Sequence, residues 1–287
     1  MDKYKEMREE LSNLLDFEYQ NLEWETLEKF TNELSRVREN GFTLYRYSPA
    51  DFYNIRNFEC GKLWLADNGS LNDIYEGFPV CGITDKDRSK LSKLSDCAYI
   101  KCFSENFNSN TMWAHYADNH RGICVAYDLA LLDHGEEVLE HIFPVLYQEQ
   151  RPFSRDQLSE ICDAQKWLNY DIFNDAYPEN GEILNDALLL FLRKGKEWES
   201  EQEWRIIYSK YQLYEKSETN VINNIIDFDC ASAIYLGQRI NPEIRKNIEE
   251  IVERINTARK NTHKPNINIY CMKFDEKTYR LHEKRVR

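Results

Sequence analysis

"FTLYRYSPADFYNIRNFECGKLWLAD", residues 42–67, reads as strand, helix and strand in quick succession. Aromatic residues and a two-residue period make "FTLYRYS" a strand, with Tyr45 and Tyr47 on one face and Leu44 and Arg46 on the other. In "SPADFYNIRNFECG" Ser48 is placed to cap a helix and Pro49 to occupy its first turn, where a missing amide costs nothing. Gly61 stops that helix, and "KLWLAD" is extended again.

Upstream, residues 2–40 read as helical, with apolar residues at i, i+3 and i+4 and neither Gly nor Pro before Gly41. Leu11, Leu14, Leu15, Leu22, Leu27, Phe30 and Leu34 need a surface to cover, supplied by the core, by a partner protein or by self-association. Downstream, "CAYIKCFSE", "RGICVAYD", "VLYQEQ", "EWRIIYS", "CASAIYLG" and "NINIYCMKF" are strands, and "TMWAHYADNH" is a short helix or turn. A helical insertion is expected over about 154–195 and an amphipathic helix in "NPEIRKNIEEIVERINTARK". Strands outnumber core helices and mix with them irregularly. The expected class is therefore α+β, with a single mixed or antiparallel sheet in a core over 41–287 and a helical extension over 1–40.

The 287 residues are 42% hydrophobic and 13% aromatic, which is globular rather than disordered. No apolar run approaches the roughly 18–20 residues of a membrane span, and "MDKYKEMREELSNLL" has no signal-peptide core, so a cytoplasmic protein with no membrane partner is expected. Eight cysteines lie scattered without a C-x-x-C pair and read as reduced, unligated thiols. A formal charge of −13 argues against a nucleic-acid surface covering the whole protein, while leaving room for a local basic groove.

Phosphate-binding glycine signatures, G-x-S-x-G and H-E-x-x-H are all absent, and His115 and His120 have the wrong spacing to share a helix face as ligands. Three stretches remain. Arg46 in "LYRY" is a cation among apolar neighbours, either paired or pointed into a cleft. "LWLADNGSLNDIYEG", which contains Asn72, offers either ligand hydrogen bonds or turn chemistry. In "EWESEQEWRIIY", residues 197–208, an extended 201–208 would align Glu201, Glu203 and Arg205 on one face and Trp204, Ile206 and Tyr208 on the other. Those charges make either a cross-strand ion-pair ladder or a ligand site.

The order of these segments resembles a bacterial family, domain of unknown function 2971. The resemblance rests on "LYRYSP", "GKLWLADNGSLNDIYEG", "KCFSEN", "MWAHYADNHRGICVAYD", "EWESEQEWRIIY", "AIYLGQRINPEI" and "NIYCMKFDEKTYRL", and it spans about residues 42–285. The layout is also similar to that of the ADP-ribosyltransferase superfamily, in which an opening strand bears Arg or His and the catalytic acid lies in an E-x-E near a late strand. Arg46, "ECGKLWLA" and Glu201–Gln202–Glu203 stand in those places; no Ser-Thr-Ser strand is evident, and Ser104 is its nearest counterpart.

That second resemblance implies a split sheet and NAD as a consumed substrate. Glu203 would accept from the ribose 2′-OH, Glu201 would orient a nucleophile or act as base, and Arg46 would hold the pyrophosphate or ribose. Tyr47, Trp113 and Tyr116 would stack on nicotinamide, with Asn72, Ser104 and Arg205 completing the cofactor site. It further implies an ADP-ribosyltransferase or NAD glycohydrolase with an unspecified protein or nucleic-acid acceptor, as a toxic effector of bacterial defence or of a toxin–antitoxin system. The alternative is a non-catalytic protein that binds a nucleotide or a partner in the same groove.

Overall fold

A computed structural model of the chain describes residues 3–16, 24–39, 41–67, 71, 98–133, 135–149, 191–209, 224–262 and 264–286. Asn72, most of the expected helical insertion, Cys81, Cys97 and Cys162 lie outside the described residues.

The opening strand forms as its alternation demands: β1 is Thr43–Ser48. The helix after it, α3 (Phe52–Glu59), begins later than Ser48 and Pro49 suggest. Ser48 is buried at the end of β1, and Asp51 takes over as cap, its side chain accepting from the Asn54 amide. Asp at this position satisfies an otherwise orphaned amide as well as Ser would. Gly61, at φ 61°, turns the chain out of the helix into β2 (Lys62–Trp64) and β3 (Ala66–Asp67).

The remaining strands of the main sheet are β4 (Ala98–Ser104), β5 (Ile123–Asp128), β6 (Ile142–Pro144), β9 (Glu203–Ser209), β11 (Ala231–Leu236), β12 (Asn268–Phe274) and β13 (Leu281–Arg285). Their order is β13-β12-β11-β5-β1-β4-β9-β6, with β3 added against β4. Among the described strands of this sheet only β11 and β12 run parallel, joined by α6 (Pro242–Arg259), so the sheet is mixed and the class is α+β. Of "VLYQEQ" only β7 (Leu146–Gln148) is extended, and it pairs with β8 (Arg193–Gly195) apart from the main sheet; β10 (Ile225–Asp227) pairs with β2.

Alternation divides the core between the two faces of the sheet. Leu44, Ile123, Val125, Tyr127, Ile234 and Ile269 pack on one face beneath α3 and α6. Tyr47, Cys124, Ala126, Tyr235 and Met272 pack on the other, covered by α4 (Asn110–His115) through Met112 and Trp113, and the short α5 (Gly135–Leu139) leads into β6. The N-terminal region is two helices among the described residues, α1 (Lys3–Asp16) and α2 (Trp24–Glu39). Met7, Leu11, Phe30 and Leu34 belong to the first face's core, and the Tyr4 ring lies 4.8 Å from that of Phe42. These helices are thus joined to the sheet by shared burial. Arg8 reinforces the join with an ion pair to Glu105 at 2.7 Å and a hydrogen bond to the Glu203 carbonyl at 3.2 Å.

Cys60, Cys102, Cys124, Cys230 and Cys271 are free thiols. Among the described residues no helix is long and apolar enough to cross a membrane.

Candidate functional site

β1 and β4 meet at one pair of positions, Tyr45 with Ser104. Beyond it the strands part: β4 stays with β9 along its whole length, and at Tyr99 and Ile100 its other edge is taken by β3. A cavity of about 440 Å³ lies in this opening. Successive residues from both strands line it, Tyr45–Arg46–Tyr47 and Ile100–Lys101–Cys102–Phe103, so it passes between the strands rather than resting on one face. Its volume is in the range of small-molecule sites, roughly 300–1,000 Å³.

Register assigns the side chains to two ends of this cavity. Tyr45 faces Ser104, Ser104 faces Glu203, and Cys102 faces Arg205, so Tyr47, Cys102, Glu203 and Arg205 share the α4 side. Arg46 and Lys101 project to the α3 side. Arg46 nevertheless reaches the opening, where its Nη1 donates to the Cys102 carbonyl at 3.2 Å. Arg46, Glu201 and Glu203 all border the one cavity.

On the α4 side the two acids are held in a buried charge network. Glu203 opens β9, but Glu201 does not continue the strand. It closes a 3-10 turn over Lys196–Glu201, and Gln202 between them is left-handed at φ 48°. That turn, not strand alternation, brings the two carboxylates to the same lysine. Lys194 Nζ lies 2.7 Å from Glu201 Oε2 and 2.9 Å from Glu203 Oε2. Arg205 donates Nε to Glu203 Oε1 at 2.8 Å and Nη2 to Oε2 at 3.2 Å, while its Nη1 donates to the Phe191 carbonyl at 2.5 Å. Tyr116 donates its hydroxyl to Glu201 Oε1 at 2.5 Å. Glu201, Glu203 and Lys194 are 5%, 4% and 6% exposed, and Arg205 is fully buried.

Burial pushes the Glu203 pKa up, but the charges of Arg205 and Lys194 and the hydrogen bonds from Arg205 and Cys102 outweigh it, leaving the carboxyl well below the usual range. Burial raises the Tyr116 phenol, and its bond to Glu201 raises it further, so it is a neutral donor. Lys101 is driven the other way, well below the ordinary lysine value, first by burial and then by the charge of Arg46.

Other expected site residues take varied places. Tyr47 lines the cavity and donates its hydroxyl to the Asn106 carbonyl at 2.8 Å. Ser104 is buried beside it, donating to the Glu201 carbonyl at 2.7 Å and so fixing the turn that carries that acid. Trp113 is fully buried in the core under α4, with its indole N–H bound to the Phe107 carbonyl at 2.8 Å, and it does not line the cavity. Arg205 stands behind Glu203 and is likewise not part of the lining. Trp64, Lys101 and Lys194 also line the cavity without having been marked as site residues from the sequence, and so does His115, which the sequence reading weighed only as a metal ligand. Lys101 carries the signal that marks Arg46, a cation inside an apolar strand, in "AYIKCFS". Lys194 had none, because "LRKG" reads as the tail of a helix.

Residues 112–206 match the family described as "Protein of unknown function (DUF2971)". This supports the resemblance seen in the segment order. The matched span holds Tyr116, Lys194, Glu201 and Glu203, whereas Arg46 and Lys101 lie before it. No curated protein and no solved structure matches the chain significantly.

Proposed function

We propose that the protein consumes NAD, as an NAD glycohydrolase or an ADP-ribosyltransferase, in the opening between β1 and β4. The observation that carries this reading is the common cavity of Arg46, Glu201 and Glu203, walled by Tyr47 and Tyr116. The parting of β1 from β4 also suits the split sheet of the ADP-ribosyltransferase superfamily.

Cleavage breaks the bond between the nicotinamide nitrogen and the ribose C1′, and nicotinamide leaves with the electron pair. Positive charge builds on the ribose, where Glu203, kept a carboxylate at neutral pH by Arg205 and Lys194, would stabilise it. Water or an acceptor nucleophile then bonds to C1′ and gives its proton to Glu201. Arg46 would hold the phosphate end by charge-assisted hydrogen bonds.

One observation favours a second reading, a nucleotide-binding protein without catalysis. Every carboxylate oxygen of Glu201 and Glu203 already accepts from Tyr116, Lys194 or Arg205. A ribose hydroxyl would have to share those acceptors or displace one donor. Incubating purified protein with NAD and measuring free nicotinamide separates the two. Release above the uncatalysed rate, abolished by Glu201→Gln, is expected for the enzyme. NAD binding without release puts the binding protein in its place.

A further inference from the structure

The α3 side of the cavity has a charge balance unlike that of the rest of the molecule. In a chain of formal charge −13, Arg46 and Lys101 are brought together on adjoining strands, and among the described residues no carboxylate lies beside them at this end. Asn54 from α3 and Trp64 from β2 border the cavity at this end, and Asn57, Lys62 and Tyr127 line a small adjoining pocket of about 20 Å³ that shares Arg46, Asn54, Trp64 and Lys101 with it. Lys62 spends its charge outward on Asp227 at 2.8 Å. Among the described residues Lys101 has no hydrogen bond or ion pair; its ammonium sits 5.9 Å from the Trp64 ring centre. It is only 7% exposed. Among the described residues the buried Nε of Arg46 has no partner either, and its guanidinium makes one hydrogen bond, to the Cys102 carbonyl.

Two neighbouring cations buried without an anion are unfavourable in the empty protein, from lost hydration and from mutual repulsion. The carboxylates of the other end do not relieve them, since Lys194 and Arg205 already hold both. What remains is an excess of positive charge aimed into a cavity that a ligand can enter.

We propose that Lys101 joins Arg46 and with it completes a binding subsite for a phosphate or diphosphate group. A carboxylate ligand would neutralise one of the two cations, whereas a diphosphate answers both and matches the planar fork of a guanidinium. Asn54 adds an amide donor at the same end, and Trp64 closes it as an aromatic wall. This subsite rests on the cavity being a ligand site, as read above, but not on cleavage of a glycosidic bond. Lys101 acts here by binding, in a position that stability alone would fill with an apolar residue.

Inorganic pyrophosphate is the probe, titrated by calorimetry into the full-length wild type, Lys101→Met, Arg46→Met and Arg254→Met. Arg254 pairs with Glu59 on the exposed surface of α6 and is the control. Wild type and Arg254→Met should bind alike, and each of the other variants should bind about tenfold or more weakly. Lys101→Met should keep or raise the urea midpoint, because it removes an uncompensated buried charge. Arg46→Met is the second variant, should the first fold poorly. Failure of wild type to bind pyrophosphate, or binding unchanged in both site variants, overturns the subsite. Binding with no nicotinamide released from NAD leaves the subsite standing and removes the proposed cleavage. Release of nicotinamide with a KM for NAD unmoved by Lys101→Met does the reverse.

Discussion

Arg205 grips Glu203 from two residues along the same strand, Nε to Oε1 at 2.8 Å and Nη2 to Oε2 at 3.2 Å, with both side chains buried. The sequence allowed this contact as a surface rung, a pair worth at most about 1 kcal/mol. Burial changes its magnitude. Glu203→Gln leaves Arg205 and Lys194 facing a neutral amide, and removing one member of a buried pair costs about 3–5 kcal/mol. Urea unfolding should show that loss. An unchanged midpoint would mean that water reaches the network in solution.

The same pair predicts a pH dependence. Glu203 ionises in the folded protein at about 2 against an ordinary 4.5, so its carboxylate is favoured by folding. A depressed carboxyl contributes stability that is complete above 4.5 and is lost as pH falls towards about 2. The loss should be on the order of a few kcal/mol across that window. Glu203→Gln should flatten the corresponding limb of a plot of urea midpoint against pH. Asp229 adds to the same limb, lowered by its bonds to Arg259 and Lys264, so some slope should survive in the variant.

Gly122 enters β5 under close constraint. A Cβ there would lie 2.2 Å from the Ser48 carbonyl oxygen and 2.9 Å from the Ala117 backbone, both main-chain atoms that cannot swing aside. Gly122→Ala should therefore destabilise by about 1–3 kcal/mol or more, as overpacking does. A melting temperature within a degree or so of wild type would show that the turn yields.

Leu11 is fully buried in the core shared by α1 and the sheet. Leu11→Ala should cost about 2–5 kcal/mol of stability. An arm that served only to bind a partner would lose that binding and keep its urea midpoint. The two measurements, midpoint and elution volume, separate structural docking from assembly.

How far the sequence carried the fold depended on whether a residue's role was local. β1, β4, β5, β9, β11 and β12 follow from alternation and aromatic content, and α6 from its Pro242 start and 3.6-residue period. The cap of α3 was misplaced because Ser48 and Asp51 both carry capping oxygens, and only the length of β1 decides between them. Glu201 was assigned to a strand because its spacing from Glu203 has the strand period; the left-handed Gln202 that sets it in a turn leaves no such mark. Arg46, Tyr47 and the two acids were legible as residue types with something to explain. Lys194 was not, since its function lies in a long-range meeting with Glu201 and Glu203 after an intervening turn.

Tyr116 offers a variant that touches the site with little damage to the fold. Its hydroxyl donates to Glu201 Oε1 at 2.5 Å, and its ring borders the cavity. Tyr116→Phe keeps the ring and removes the donor, leaving Lys194, among the described residues, to hold the Glu201 carboxylate. A hydrogen bond to a charged group is worth about 1.5–3 kcal/mol, so the unfolding free energy read from urea titration should fall by that amount or less. If Glu201 takes a proton during NAD cleavage, losing the phenol that positions it should lower kcat, while the KM for NAD stays close to wild type because the ring still lines the cavity. A fall in stability with an unmoved kcat would confine Tyr116 to holding the turn. A raised KM with an unmoved kcat would make the hydroxyl a ligand contact rather than a partner of the base.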